Sequence, residues 1–425
     1  MMDEHVVLKM PYICMEERPQ TAKINFKIYR QLKKQMKTHG TVYANFLSKP
    51  TASYLLILGS TGALAGLGLL MVLSASSVTS LSESGNTFAI FLKQLLFLVF
   101  GISISYVTMK MKLSHWESLA RIALPIGVVA LILPVIFGQN INGNRNWIPI
   151  GPFTLQPSEF AKLALILYCA LQLRKHLERK AKGLQSNAVG MVSIGTVGFL
   201  ILILLGRDLG TAIIVAGIVF GMLFISGIDL KVLLSISAIF SVGGLALAVT
   251  NPARLRRFTA VLDPFAPEVY KLAGWQPAHS LMSLASGGLF GVGIGASKQK
   301  WANLAEAHTD FIFSVIGEEL GLLGTLTVVI LFALLIYAIF RVAIATKDLF
   351  QKYVVTGIGC WIILQVLVNL MTVVGIIPVI GVTLPFISYG GSSLVANCIA
   401  ISFVLNVASR EPDFKAARAA RKAAK

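Results

Sequence analysis

Charge is what this chain has least of. Of its 425 residues only 13% are Asp, Glu, Lys or Arg, and 19 of these are acidic against 37 basic. So few charges cannot cover a soluble domain of this length, and 56% hydrophobic residues with a mean hydropathy of +0.76 place the chain in a bilayer. Cysteine is scarce too. Cys14, Cys169, Cys360 and Cys398 stand apart, with no CxxC and no histidine cluster, which excludes a disulfide framework and a zinc site. There is no internal repeat, and no low-complexity segment beyond the Ala/Arg/Lys tail after Pro412. The first fifty residues are too polar, and too long before the first apolar run, to be a cleaved signal peptide.

What is present is a series of apolar runs. Ten can be marked, near 53–76, 87–107, 118–138, 157–173, 189–206, 209–226, 232–249, 311–340, 353–374 and 387–408. An even number returns both termini to one side of the membrane. Basic residues cluster before the first run (Lys23, Lys27, Arg30, Lys33, Lys34, Lys37) and after the last (Arg410, Lys415, Arg418, Arg421, Lys422), which makes both ends cytoplasmic. The alternate loops agree: Lys110 and Lys112, then Arg174, Lys175, Arg179, Lys180 and Lys182, then Lys231, then Arg341, Lys347 and Lys352, fall on the predicted cytoplasmic side. A net charge of +18 is thus a matter of topology rather than of nucleic-acid binding.

The expected fold is an all-α polytopic membrane protein of ten transmembrane helices, with one large folded extracellular loop between helices 7 and 8. Its parts are a basic cytoplasmic tail over residues 1–52, a membrane domain over 53–408 with the large outer loop at 250–310, and a basic cytoplasmic tail over 409–425. The outer loop carries "DPFAPEVY" and "SGGLFGVGIGASKQK", a mixture of Pro, Gly, aromatic and basic residues that suits a folded loop lining a site.

Several constellations could carry chemistry. In "QPSEFAK", Pro157 opens a helix, and Glu159 and Lys162 share a face at a spacing of three, so they either neutralise each other or border a polar cavity. "NGNRNW" puts Arg145 beside the interfacial Trp147, a place from which it could hold a phosphate. Asp208 in "GRDLGT" is suited to capping the next helix. "LPFISYGGSS" breaks an apolar run and supplies Ser388, Tyr389, Ser392 and Ser393. In "EAHTDFIFSVIGEELG", Asp310 falls at the start of the eighth run, preceded by Glu306 and His308. It is either a first-turn carboxylate or a functional one. Glu318 and Glu319 lie roughly 12–14 Å further along the helix axis, where an acid needs a basic or hydroxyl partner, or a proton.

Taken in order, "NGNRNW", "QPSEFAK", "DLGT", "LDPF", "SLMSLASGGLFGVGIG", "EAHTDFIFSVIGEELG" and "LPFISYGGSS" resemble the SEDS family of bacterial cell-wall synthesis, FtsW and RodA, from about residue 53 to 408. "EAHTDFIF" and "VTLPFISYGGSS" look closer to the division members than to the elongation members. Departures from the family pattern are Ala305 and Arg207 where Pro is common, Asn146 where Arg precedes the Trp, and His279 where Gln is common.

The resemblance implies a peptidoglycan glycosyltransferase of the bacterial cytoplasmic membrane, at the division septum. Such an enzyme polymerises lipid II at the outer face onto an undecaprenyl-pyrophosphate-linked glycan. A class B penicillin-binding protein and other divisome proteins are the implied partners. Asp310 maps onto the family's essential aspartate, and Glu159 with Lys162 onto its paired acid and lysine. On this expectation Asp310 is the base or the ligand of a divalent cation, Mg or Mn. Arg145, Lys162, Lys298 and Lys300 face the phosphates, with Glu306, His308, Ser388, Tyr389, Ser392 and Ser393 lining the substrate site. The competing readings are a lipid-linked precursor flippase or other transporter, and a divisome scaffold without activity.

Overall fold

The computed structural model describes residues 51–141, 144–151, 153–235, 238, 252–301 and 303–410. By contacts the chain divides into Met1–Ala52 and Ser53–Lys425, and nearly all described residues belong to the second unit. Of the two expected basic tails, 1–52 and 409–425, all but residues 51–52 and 409–410 lies outside the described residues.

The described chain is mostly helical. In order it forms α1 (Ala52–Ser84), α2 (Ala89–Lys110), α3 (Leu113–Phe137), strands β1 (Gln139–Ile141), β2 (Asn144–Ile150) and β3 (Phe153–Leu155), then α4 (Pro157–Ala181), α5 (Ala188–Leu205) and α6 (Leu209–Ile225). Three short helices follow, α7 (Pro252–Leu262), α8 (Pro267–Tyr270) and α9 (Trp275–Ser286), and then α10 (Ile312–Ala345), α11 (Leu349–Val373) and α12 (Gly391–Arg410). Among the described residues seven helices, α1, α2, α3, α5, α10, α11 and α12, are long and apolar enough to cross a membrane. α6 falls just short at 17 residues, and the second half of α4 is charged. Of the expected seventh run, 232–249, residues 232–235 are helical and most of the rest lies outside the described residues.

Several boundaries depart from the hydropathy reading. α1 runs on to Ser84 through "SASSVTSLSES", a stretch whose polarity reads as a loop. It stays helical because its hydroxyls bond back to the preceding turn, Ser77 to Ser74 O at 2.9 Å and Ser84 to Ser80 O at 2.7 Å. α12 starts at Gly391 rather than at residue 387, because the chain from Ile377 to Gly390 is irregular. The all-α expectation also needs correction: β1, β2 and β3 pair antiparallel, with Gln139 opposite Trp147 and Ile148 opposite Leu155. Isoleucine, tryptophan and threonine alternating around "NG" and "GP" turn signals favour hairpins there.

α11 and α12 are the most buried of the long apolar helices, and α2 is the most exposed. Around α11 pack α4, α6 and α10, and α12 lies against α2. Trp361, Phe403, Phe332 and Phe199 fill this interior.

α10 is broken at Gly321, which adopts φ 66° and ψ −162°. The Gly-rich segment after α9 closes the gap. Val292 and Gly293 donate to Glu318 O and Glu319 O at 2.9 and 3.1 Å, and Leu322 and Leu323 donate to Gly288 O and Leu289 O at 2.9 and 3.2 Å. Each backbone group freed by the kink therefore has a partner, the condition for irregular chain within an apolar bundle.

Candidate functional site

Asp310 sits in the turn that leads into α10 and is held by its main chain. Nδ2 of Asn369, on α11, donates to Asp310 O at 2.8 Å and to Val382 O at 2.7 Å. Ser388 Oγ donates to Thr309 O at 2.6 Å, and Tyr389 N donates to His308 O at 2.9 Å. Glu306 turns the loop with φ 58°, its carbonyl accepting from Thr309 N and Phe311 N and its carboxylate from the Thr309 hydroxyl at 2.7 Å. The irregular stretch before α12 thus holds the carbonyls of the two residues before Asp310, while Asn369 holds that of Asp310 itself.

The Asp310 carboxylate is different. Half-buried, it accepts no hydrogen bond among the described residues. Burial first, and then the negative charges of Glu306 and Asp208, push its carboxyl up to about 7 from an ordinary 3.8. A β-carbon at Gly381 would lie 3.5 Å from Asp310 Oδ2, so glycine leaves the approach to the carboxylate open. Beside it, His308 is 5.6 Å from the Tyr389 ring, and burial lowers its imidazole pKa against the opposing pull of Glu306 and Glu83.

Asp208 has the structural role expected of it. As N-cap of α6 it accepts from Thr211 N at 2.9 Å, and it also takes the Thr211 hydroxyl at 2.7 Å and Asn146 Nδ2 at 2.7 Å. Arg145, next to Asn146 on β2, donates its backbone N–H to Gly206 O at 2.9 Å. Its exposed guanidinium has no partner among the described residues.

Glu159 and Lys162 are both buried and form an ion pair at 2.8 Å. The pair extends into a network. Lys162 Nζ lies 4.7 Å from the Trp361 ring centre and 3.4 Å from Gln365 Oε1, which takes the Trp361 indole at 2.6 Å, while Gln365 Nε2 donates to Thr383 O at 3.0 Å. Thr383 in turn meets Ser393 at 3.3 Å, and Asn397 donates to Ser393 O at 2.8 Å. Gln365 and Asn369 are one turn apart on α11, so the buried pair and the Asp310 turn are tied to the same helix and to the same irregular segment. Ser392 Oγ accepts from Gln156 N at 2.9 Å, and Glu159 Oε2 and Ser158 Oγ are buried without a partner.

Glu318 and Glu319 find partners far along the chain. Glu318 accepts from Ser297 Oγ at 2.6 Å, Lys298 N at 2.8 Å and Ser283 Oγ at 3.0 Å. Glu319 accepts from Ser74 Oγ at 2.7 Å and pairs with Lys300 Nζ at 3.2 Å. Lys300 is itself buried and gives a further bond to Gly295 O at 2.6 Å, so its ammonium is committed to the protein, unlike the phosphate contact expected of it. Lys298 is exposed and its ammonium is unpaired among the described residues.

Sequence reading passed over Gln94, Gln365, Asn369 and Asn397. All four are fully buried amides in apolar helices, Gln94 bonding Ser388 O at 3.1 Å. The available signal was an isolated amide in an apolar run, with Gln365 and Asn369 on one helical face.

Among the described residues no group of three or more His, Cys, Asp or Glu side chains is placed to hold a metal ion. A single unbonded carboxylate still fits a Mg-type site in which substrate phosphates and water complete the shell.

Comparison with known proteins agrees with this architecture. A Coxiella burnetii protein named "Probable peptidoglycan glycosyltransferase FtsW" is 39% identical over 354 residues, covering 82% of this chain and 94% of its own length. Stage V sporulation protein E of Bacillus subtilis is 36% identical over 364 residues, 85% of this chain and 98% of that one. Among solved structures, one described as the "structural coordination of polymerization and crosslinking by a peptidoglycan synthase complex" matches with a TM-score of 0.68 at 28% identity, over 84% of this chain and 97% of that one. The rod shape determining protein RodA of Thermus thermophilus matches with 0.63 at 27% identity, over 84% and 97%. The family model described as "Cell cycle protein", which joins FtsW, RodA and SpoVE, matches residues 54–412, and the chain belongs to that family.

Proposed function

We propose that this chain is a peptidoglycan glycosyltransferase that polymerises lipid II into glycan strands at the outer face of the cytoplasmic membrane, in septal wall synthesis. The observation that carries the reading is the Asp310 carboxylate, half-buried, unbonded and held in place by its own backbone. A carboxylate with few partners and a pKa near the working pH is suited to proton transfer.

In the reaction the 4-hydroxyl oxygen of a lipid-linked acceptor bonds to the anomeric carbon of the donor, whose bond to undecaprenyl pyrophosphate breaks. Asp310 takes the hydroxyl proton as that bond forms. Alternatively, Asp310 would hold a Mg or Mn ion that neutralises the leaving pyrophosphate. Arg145 and Lys298, both exposed and unpaired among the described residues, supply positive charge toward the phosphates. Lys162 acts at a distance, through Gln365 and the irregular segment that grips the catalytic turn. Ser388 and Tyr389 position that turn through the main chain, while Glu306 shapes it and His308 lines it.

The reading goes with ten spans and both termini cytoplasmic, a topology in which the Asp310 turn faces outward while the lipid tails stay in hydrocarbon. A crosslinking partner of the class B penicillin-binding type would use the strands as they form. The test is strand formation from purified lipid II by the full chain and by Asp310→Asn, with and without divalent cation. Polymer from a correctly folded Asp310→Asn protein at the parent rate would refute the assignment.

A further inference from the structure

Away from the Asp310 turn, the end of α4 and the start of α5 enclose an open cleft of about 480 Å³. Its walls carry three cationic side chains, Lys175, Arg179 and Lys182. The one acid in the wall, Glu178, lies 3.4 Å from Arg174 Nε, a guanidinium that also pairs with Glu117 at 3.0 Å and so offsets it in part, leaving the three cations in excess. α5 is 18 residues long; its N-cap residue Asn187 makes no side-chain bond to the first turn, and only Ala188 N is met there, by Ser186 Oγ at 3.3 Å, so the positive end of that helix borders the cleft. A second observation is independent of these charges. Gln172 is only 7% exposed, lines the same cleft, and its amide has no hydrogen-bond partner among the described residues. That amide is not sealed off from the cleft, so both its donor and its acceptor are open to a ligand or solvent there.

Three cations and a free amide donor beside a helix start select an anion with hydrogen-bond acceptors, which is the chemistry of a phosphate. The rim narrows the source. Leu184 and Met191, 55% and 48% exposed, border the same cleft and offer apolar surface beside the charged wall. A soluble phosphate has no use for that surface, whereas a phospholipid has acyl chains to lay on it. The geometry points to this cleft as a binding site for the phosphate headgroup of an anionic glycerophospholipid of the cytoplasmic leaflet. The leaflet assignment rests on the ten-span topology proposed above; the anion site does not.

Native mass spectrometry of the full chain in a neutral detergent, titrated with phosphatidylglycerol and separately with phosphatidylcholine, tests the site. The protein should retain phosphatidylglycerol in preference. With each cation worth about fivefold in affinity, the triple substitution K175Q/R179Q/K182Q should weaken binding roughly 100-fold, and Gln172→Leu should weaken it to a lesser degree. Polymerisation activity and melting temperature matching the parent would exclude misfolding as the cause. Equal retention of the two lipids, or undiminished binding by the triple variant, would overturn the proposal. Complete displacement by millimolar inorganic phosphate would overturn the lipid assignment in favour of a soluble anion. Sidedness is read separately. In a Cys14→Ser background, whose remaining cysteines are buried, the thiol introduced by Gln185→Cys should react with an impermeant maleimide in inverted vesicles and not in spheroplasts. The reverse labelling would reject the topology and the leaflet, leaving the lipid titration to judge the anion site.

Discussion

One nitrogen, Nδ2 of Asn369, donates at once to the carbonyl of Asp310 at 2.8 Å and to that of Val382 at 2.7 Å. The Asp310 turn and the irregular segment before α12 are therefore fixed to the same point of α11. One turn earlier on that helix, Gln365 joins the segment to the buried Glu159–Lys162 pair through Thr383. The position of the carboxylate is thus set by side chains that do not touch it.

Replacing Asn369 by Leu keeps the volume of the site but leaves two carbonyls without their donor. Leaving buried acceptors unpaired costs about 1–3 kcal/mol each, so the melting temperature should fall while the protein remains folded. The catalytic effect should be larger than the stability effect, because the turn loses its register. A lower kcat with little change in KM for lipid II is the expected signature, and a KM effect alone would place Asn369 in substrate binding instead.

The carboxyl of Asp310 titrates at about 7 because burial and two neighbouring acids oppose its ionisation. As a base it works only when ionised, so the polymerisation rate should rise with pH through an ascending limb near neutrality. The sign for stability is opposite. Between 3.8 and about 7 the folded protein keeps a proton that the unfolded chain has lost. This group's contribution to stability is therefore full below 3.8 and is lost as pH rises toward about 7. Glu306→Gln removes one of the two charges that raise the carboxyl, so the limb should move to lower pH. Initial rates across the neutral range for the parent and Glu306→Gln would decide it, and an unmoved limb would mean that Asp310 does not govern the profile.

Lys300 and Glu319 form a buried pair between the Gly-rich segment and α10, shared with Ser74 of α1. Removing one member leaves an uncompensated charge, typically at a cost of 3–5 kcal/mol, while removing both with apolar residues of similar size costs far less. Lys300→Met and Glu319→Leu should each lower the melting temperature more than the double variant does. Additive losses would show that the two residues are not energetically coupled.

The parts legible in sequence were those encoded by long, local patterns. The apolar runs at 53–76, 118–138 and 353–374 became α1, α3 and α11 because about twenty consecutive apolar residues can satisfy their backbone in a bilayer only as helix. Asp208 declared its cap through the adjacent "LGT", since capping is a three-residue affair. What stayed hidden depends on distant chain. Ser74 meets Glu319 across 245 positions and Gln94 meets Ser388 across 294, and no local pattern encodes such pairs. The Glu319 partner of Lys300 stayed hidden for the same reason: a lysine in a Gly-rich loop looks exposed until the acid that buries it is known. The Ser-rich end of α1 misled in the other direction, its polarity absorbed by bonds to its own preceding turn.

Gly321 offers the sharpest test of how the loop and α10 fit together. Its φ of 66° with ψ of −162° is a conformation essentially reserved for glycine, costing about 1–3 kcal/mol for another residue. Space is as restrictive as the dihedral: a β-carbon there would lie 2.4 Å from Gly291 N and 2.6 Å from Leu289 O, both backbone atoms that cannot swing aside. Gly321→Ala must therefore straighten α10 or expel the Gly-rich segment. Either outcome breaks the bonds from Val292 and Gly293 to the helix, and with them the seating of Glu318 and Glu319. The substitution should reduce thermal stability by more than the dihedral cost and expose residues 287–300 to protease. Gly62→Ala is the matched control, since it introduces the same methyl within α1 where nothing lies within 4 Å, and it should be neutral or mildly stabilising. Equal melting temperatures and equal protease resistance for the two variants would mean that the kink is not held by the loop.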